Sequence, residues 1–225
     1  MDSISLTPDA IVFWRWGPVV LNATLVYTWL VMGLLIGGSW LATRQLSTGQ
    51  ESTIAQNALE SIVTYINTQI EELTHQKPRR YLPFIGTLFL FISIANLLSA
   101  VPGYRAPTGS LSTTAALATA VLLAVPFFGI RQLGLWSYLK QYTQPSVFML
   151  PFNLIGEISR TLSLAVRLFG NVMSGDMITA ILLVIVPLIF PVIMQLLGLL
   201  IGQIQAYIFA VLATVFIASA TQTDA

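Results

Sequence analysis

"EISRTLSLAVRLFGNVMSGD", residues 157–176, sets Glu157, Arg160, Arg167 and Asp176 among apolar and weakly polar neighbours, and residues 177–223 after it carry no charge at all. Plotted at 100° per residue, Glu157, Arg160, Ser163, Arg167, Asn171 and Ser174 fall on one stripe about 120° wide. The rest of that helix is mostly Leu, Ile, Val, Ala and Phe. A charge at the centre of a bilayer costs about 2.5–3.5 kcal/mol on insertion scales. Arginine cannot escape that cost by losing its proton. Arg167, near mid-helix, must therefore face water, an anion or a carboxylate.

The composition around this stretch leaves one class of protein. Of 225 residues, 56% are hydrophobic and 8% charged, with a mean hydropathy of +0.80. Soluble domains carry about 25% charged residues, so this is an integral membrane protein. A net charge of +1 offers no basic face for a nucleic acid. Cysteine is absent and His75 is the single histidine, which excludes disulfides, thiolate metal sites and a His-rich metal centre. No cofactor or metal site is expected. The N-terminus, "MDSISLTPDAIVFWRWG", places acids first and has no basic region before its apolar run, so it does not read as a cleaved signal peptide.

The uncharged runs delimit the spans, since a transmembrane helix needs about 20 apolar residues. Residues 16–43, 81–104 and 106–130 lie between charges. They predict helices over 19–42, 81–101 and 112–130, the last two joined by the Pro/Gly turn "VPGYRAPTG" (101–109). Between the first two, Leu59, Ile62, Ile66, Ile70 and Leu73 recur at helical spacing while Glu60, Asn67 and Glu71 take the other side. That pattern predicts an amphipathic helix over 51–75, on the membrane surface or on a partner. Residues 131–152, with aromatics, Lys140 and two prolines, suit an interfacial segment. Two long helices follow, 153–186 and 192–219, broken at Pro187 and Pro191. The expected fold is all-α: five transmembrane helices plus one amphipathic surface helix, the last two a long tilted hairpin. No internal repeat is visible, so residues 1–225 are read as a single membrane domain. Basic residues concentrate in the connections 43–80 (Arg44, Lys77, Arg79, Arg80) and 131–152 (Arg131, Lys140), against Arg15 and Arg105 opposite. The positive-inside rule then puts the N-terminus outside and the C-terminus in the cytoplasm.

Glu157 and Arg160, three apart, can form a local ion pair near the cytoplasmic end. Arg167 has only Ser163 and Asn171 as polar neighbours on its own helix, and neither neutralises it. In the last helix Gln195, Gly198, Gly202 and Gln205 repeat at spacings that make one small, polar face. Small residues there permit close helix packing, and the glutamines point to a hydrated or hydrogen-bonded seam.

"SLAVRLFGNVMSGD" (163–176) and "IQAYIFAVLATVFI" (204–217), in this order and at this separation, closely resemble subunit a of the rotary F-type ATP synthases. The resemblance extends over essentially the whole chain. It implies a subunit of the membrane sector with no catalytic site of its own, standing beside a rotating c-ring of small two-helix subunits. Two aqueous half-channels would load and unload protons or sodium ions on the ring's carboxylates. Peripheral stalk subunits would be partners, the catalytic head an indirect one, and the bacterial plasma (inner) membrane the location. The family's essential arginine falls on Arg167, its following asparagine on Asn171, its acidic position on Asp176 and its glutamine on Gln205. Where many members carry a His or an acid before that glutamine, this chain has Gly198. Where many carry an acid fourteen residues before the arginine, it has Asn153, and Glu157 stands one turn further in, in position to serve the same cytoplasmic channel. Ser163 shares the stripe and joins the candidate ion path. The short chain and "GEISRTLSLAVRLFGN" are also similar to the sodium-associated N-type branch.

Other classes fit less well. A small-solute secondary transporter usually shows inverted repeats with interrupted helices. An intramembrane protease would need a membrane histidine beside a serine, or two membrane aspartates, and only Asp176 qualifies. A scaffold without transport leaves Arg167 as an unexplained cost.

Overall fold

A computed structural model describes residues 9, 12–16, 19–44, 54–74, 80–101, 103–143, 148–186 and 190–221. Its elements are β1 (Val12–Trp16), β2 (Val19–Asn22), α1 (Ala23–Arg44), α2 (Ile54–Thr74), α3 (Leu82–Leu97), α4 (Leu111–Leu133), α5 (Leu135–Thr143), α6 (Met149–Ile185) and α7 (Phe190–Thr221). Single 3-10 turns stand at Leu98–Ala100 and Pro107–Gly109. Among the described residues five helices are long and apolar enough to cross a membrane: α1, α3, α4, α6 and α7. The protein is an all-α integral membrane protein with one small departure.

That departure is the hairpin of β1 and β2, which pair antiparallel with Trp14 opposite Leu21 and Trp16 opposite Val19. Residues 19–22 were expected inside the first helix and instead form a strand, so α1 begins at Ala23. The physical reason is visible in the side chains. "VFWRW" and "VVL" are rich in β-branched and aromatic residues, which favours a pleated strand, and the sequence between them is Gly-Pro, a turn-forming pair by composition. Apolarity alone had merged them with the span. Asp9 ties this end down: its carboxylate accepts hydrogen bonds from Thr24 at the start of α1 and from Ser110 just before α4, both at 2.6 Å.

The other boundaries follow local chemistry. α4 runs to Leu133 rather than 130 and stops at Gly134, whose φ of +83° is left-handed and costs glycine nothing. The interfacial segment 131–152 contains the last turn of α4, the short α5 and the start of α6 at Met149, four residues earlier than expected. Pro151 stands in the first turn of α6 and Pro191 in that of α7, where a missing N–H is tolerated. Pro187 and His75 lie outside the described residues. At 1.5 Å per residue α6 is about 55 Å long, against a hydrocarbon core of about 30 Å, so it must tilt or bend.

Two apolar clusters hold the bundle. One draws Phe91, Ile92 and Ala95 of α3, Val121 of α4, Leu168 of α6 and Phe209 and Ala213 of α7 together with Val31 of α1. The other brings Ile66 of α2 against Tyr81, Ile85, Tyr138 and Ile217. α2 is thus fastened to the bundle as well as amphipathic; Tyr207 on α7 donates to Gln69 Oε1 at 2.7 Å. Elsewhere large apolar side chains stand open, Ile36 being 71% and Trp136 86% exposed, as lipid contact requires.

α5 is seated on α4 through a glycine. A Cβ on Gly129 would lie 2.5 Å from the Tyr138 ring and 3.1 Å from the Ala220 carbonyl oxygen. Gly129→Ala is therefore expected to destabilise the protein by about 1–3 kcal/mol. Thermal unfolding in detergent should show it, and adding Tyr138→Ala should recover part of the loss.

Candidate functional site

α6 is the least covered of the long helices. Of its 37 residues only Leu164, Ala165 and Leu168 are buried. They form the side that meets α4 and α7. One helical face away, Ser163, Arg167 and Asn171 are exposed. Among the described residues Arg167 has no carboxylate within ion-pair reach. Of the stripe read from the sequence, Arg160, Ser163, Arg167, Asn171 and Ser174 are exposed and Glu157 is half-buried.

One turn after Arg167, the amide of Asn171 donates to Gln205 Oε1 at 2.7 Å. Gln205 is 3% exposed. This bond joins the polar stripe of α6 to that of α7. The seam continues along α7: Gln195 donates to the carbonyls of Ser99 and Ala100 at 3.2 and 3.3 Å. The Gly202 carbonyl accepts from Asn96 at 2.9 Å. Asn96 in turn accepts from Thr108 at 2.7 Å. Gly202 is required there, because a Cβ would lie 2.9 Å from that of Asn96. Gly198 has no such neighbour and opens onto free space.

A cavity of about 790 Å³ lies between α6, α7, the end of α3 and the loop 103–106. Asn171, Asp176, Gln205 and Gly198 line it, with Asn96, Tyr104 and Arg105. Three of the expected ion-path residues thus share one cavity, whose walls are otherwise largely apolar. Burial, and secondarily Tyr27, pushes the Tyr104 hydroxyl above its ordinary range, so it stays a neutral O–H at physiological pH.

Glu157, Arg160 and Ser163 do not line this cavity. Along the axis Glu157 lies about 15 Å to one side of Arg167 and Asp176 about 14 Å to the other. The Glu157–Arg160 ion pair is not among the contacts of Arg160, whose guanidinium stands 5.8 Å over the Phe216 ring on α7. An exposed cation gains about as much from an aromatic face as from a flexible surface carboxylate, so spacing alone did not decide the partner. Glu157→Gln is expected to slow transport several-fold, and Arg160→Lys, which keeps a cation over Phe216, much less. Initial rates of ATP-driven uptake in vesicles would separate them; equal losses would leave Glu157 a packing role.

Several residues of the cavity escaped the sequence reading, Asn96 and Arg105 among them. Asn96 is a lone amide in an apolar helix, a signal without a period. Arg105 was read only as a topology charge.

The family described as ATP synthase A chain matches residues 25–218. ATP synthase subunit a 2 of Acaryochloris marina is 61% identical over 97% of this chain and 94% of its own length. ATP synthase subunit a 1 of Chlorobaculum parvum is 61% identical over 97% of this chain and 96% of its own. ATP synthase subunit a of Albidiferax ferrireducens is 60% identical over 96% and 94%.

Proposed function

The chain belongs to the ATP synthase A chain family, and from that premise we propose that α6 and α7 form the ion path of its membrane sector, with Arg167 at the centre. The protein is a non-catalytic, ion-translocating stator subunit of an ATP synthase. In the proposed mechanism an ion reaches the cavity that holds Asp176, Asn171 and Gln205, passes to a carboxylate on a neighbouring c-ring, and leaves through a second path near Glu157 and Ser163. Arg167 separates the two. The side of α6 that bears Arg167 faces the ring; peripheral stalk subunits hold the chain still against it and connect it to the catalytic head. The cavity opens outward and α2 lies at the cytoplasmic surface of a bacterial inner membrane, with the N-terminus outside. The transported ion is a proton or sodium.

The observation that carries this reading is the Asn171–Gln205 bond. It sets a polar, cavity-lining seam one turn from an exposed arginine.

The chain has no cysteine, so single cysteines report cleanly. Val166, exposed beside Arg167, and Glu60, exposed on α2, are suitable positions. Val166→Cys is expected to crosslink to a small ring subunit, and Glu60→Cys to a peripheral stalk subunit. An assembled complex in which Val166→Cys reaches no ring subunit overturns the placement of Arg167. Labelling of Glu60→Cys exclusively from outside overturns the orientation.

A further inference from the structure

Arg105 stands outside the ion path proposed above, yet the fold brings it into the same cavity as Asp176. Of the described residues lining that cavity, these two carry charge, one of each sign, so they share one low-dielectric space in which opposite charges attract. The other titratable group lining it is Tyr104, a neutral phenol. α7 presents Gln195, Gly198 and Gln205, and the end of α3 presents Asn96 and Ser99, all uncharged.

The loop carrying Arg105 is held on both sides. Before it, Tyr27 on α1 donates to the Gly103 carbonyl at 2.9 Å. The Tyr27 and Tyr104 rings pack edge to face with centroids 4.8 Å apart. Gly103 turns the chain at φ +89°, a conformation open to glycine. After it, Ala106 through Ser110 are buried, and Thr108 is bonded to Asn96. The guanidinium is thus delivered to the cavity by a fixed backbone.

A cleft with a lone carboxylate and low-dielectric walls concentrates cations. A guanidinium fixed in the same cleft cancels most of that field. Resting on the ion-path reading, we propose that Arg105 is the built-in counter-ion of Asp176 and sets how tightly this cavity holds a monovalent cation. An arriving ion competes with a tethered cation, so it is held weakly and released readily. Arg105 is a positioning residue, not a carrier of the ion.

The test uses the whole complex in membrane vesicles, with ATP-driven transport measured against sodium concentration at fixed pH. Arg105→Gln removes the charge and leaves the cavity net negative. Its apparent affinity for sodium is expected to rise about tenfold, whether sodium is carried or competes with protons. Arg105→Lys keeps the charge and is expected to retain most of the parent's sodium dependence. Arg105→Ser, also neutral, reads the same shift should the glutamine variant not assemble. Sodium dependence unchanged by both neutral variants overturns the proposal, as does a lysine variant indistinguishable from glutamine. A parent complex that moves no ion overturns the underlying reading and this proposal with it. A parent that does, with Arg105→Gln unchanged, overturns this proposal alone.

Discussion

Arg167→Ala is expected to reduce ATP-driven ion uptake to the level of vesicles lacking the complex, while the complex still assembles. In the proposed mechanism a ring carboxylate that leaves lipid must give up its ion. A fixed positive charge beside it favours the ionised carboxylate, and the same charge bars a direct cation route between the two paths. Alanine removes both effects, so ions are also expected to leak down their gradient without ATP turnover. Arg167→Lys is expected to lose coupled transport too. Lysine keeps a charge but not the planar fork, and a buried ammonium can deprotonate. Assembly should survive because Arg167 is exposed and has no carboxylate partner among the described residues. Uptake quenching and ATP hydrolysis on the same vesicles measure both effects. Normal pumping by an assembled Arg167→Ala complex refutes the mechanism.

The second large effect is expected at Asp176. Asp176→Asn keeps the shape and hydrogen-bonding size of the side chain but can neither bind a proton nor balance a cation. It is the sole acid among the described residues lining the cavity, so none of them substitutes for it. Transport is expected to slow on the order of tenfold or more, in the range for loss of a positioned proton-transfer group. Co-purification of the other subunits should be unchanged, since Asp176 opens into the cavity rather than into a packed interface. Unaltered uptake rates would remove Asp176 from the path.

The stripe on α6 could be read from the sequence because lipid makes each charge expensive, so a periodic row of polar residues has few explanations. The polar face of α7 was legible for the same reason. Their meeting was not: the Asn171–Gln205 bond depends on how two helices pack, which neither periodicity contains. Arg105 illustrates the limit. Its neighbours in sequence are turn formers, and only the path of the 103–106 loop brings it to Asp176. Asn96 was silent because one amide has no repeat to announce it. The hairpin at 12–22 was hidden by its own apolarity, since hydropathy does not distinguish a β-branched strand from a helical span.

The bareness of α6 bears on how the protein comes into being. A freshly inserted chain carries a long apolar helix with an arginine midway along it and three residues' worth of internal cover. Lipid tolerates that helix poorly, at about 2.5–3.5 kcal/mol for the guanidinium alone. In the assembly proposed above, a ring that covers α6 would relieve that cost, so the chain alone is expected to be less stable than the chain in its complex.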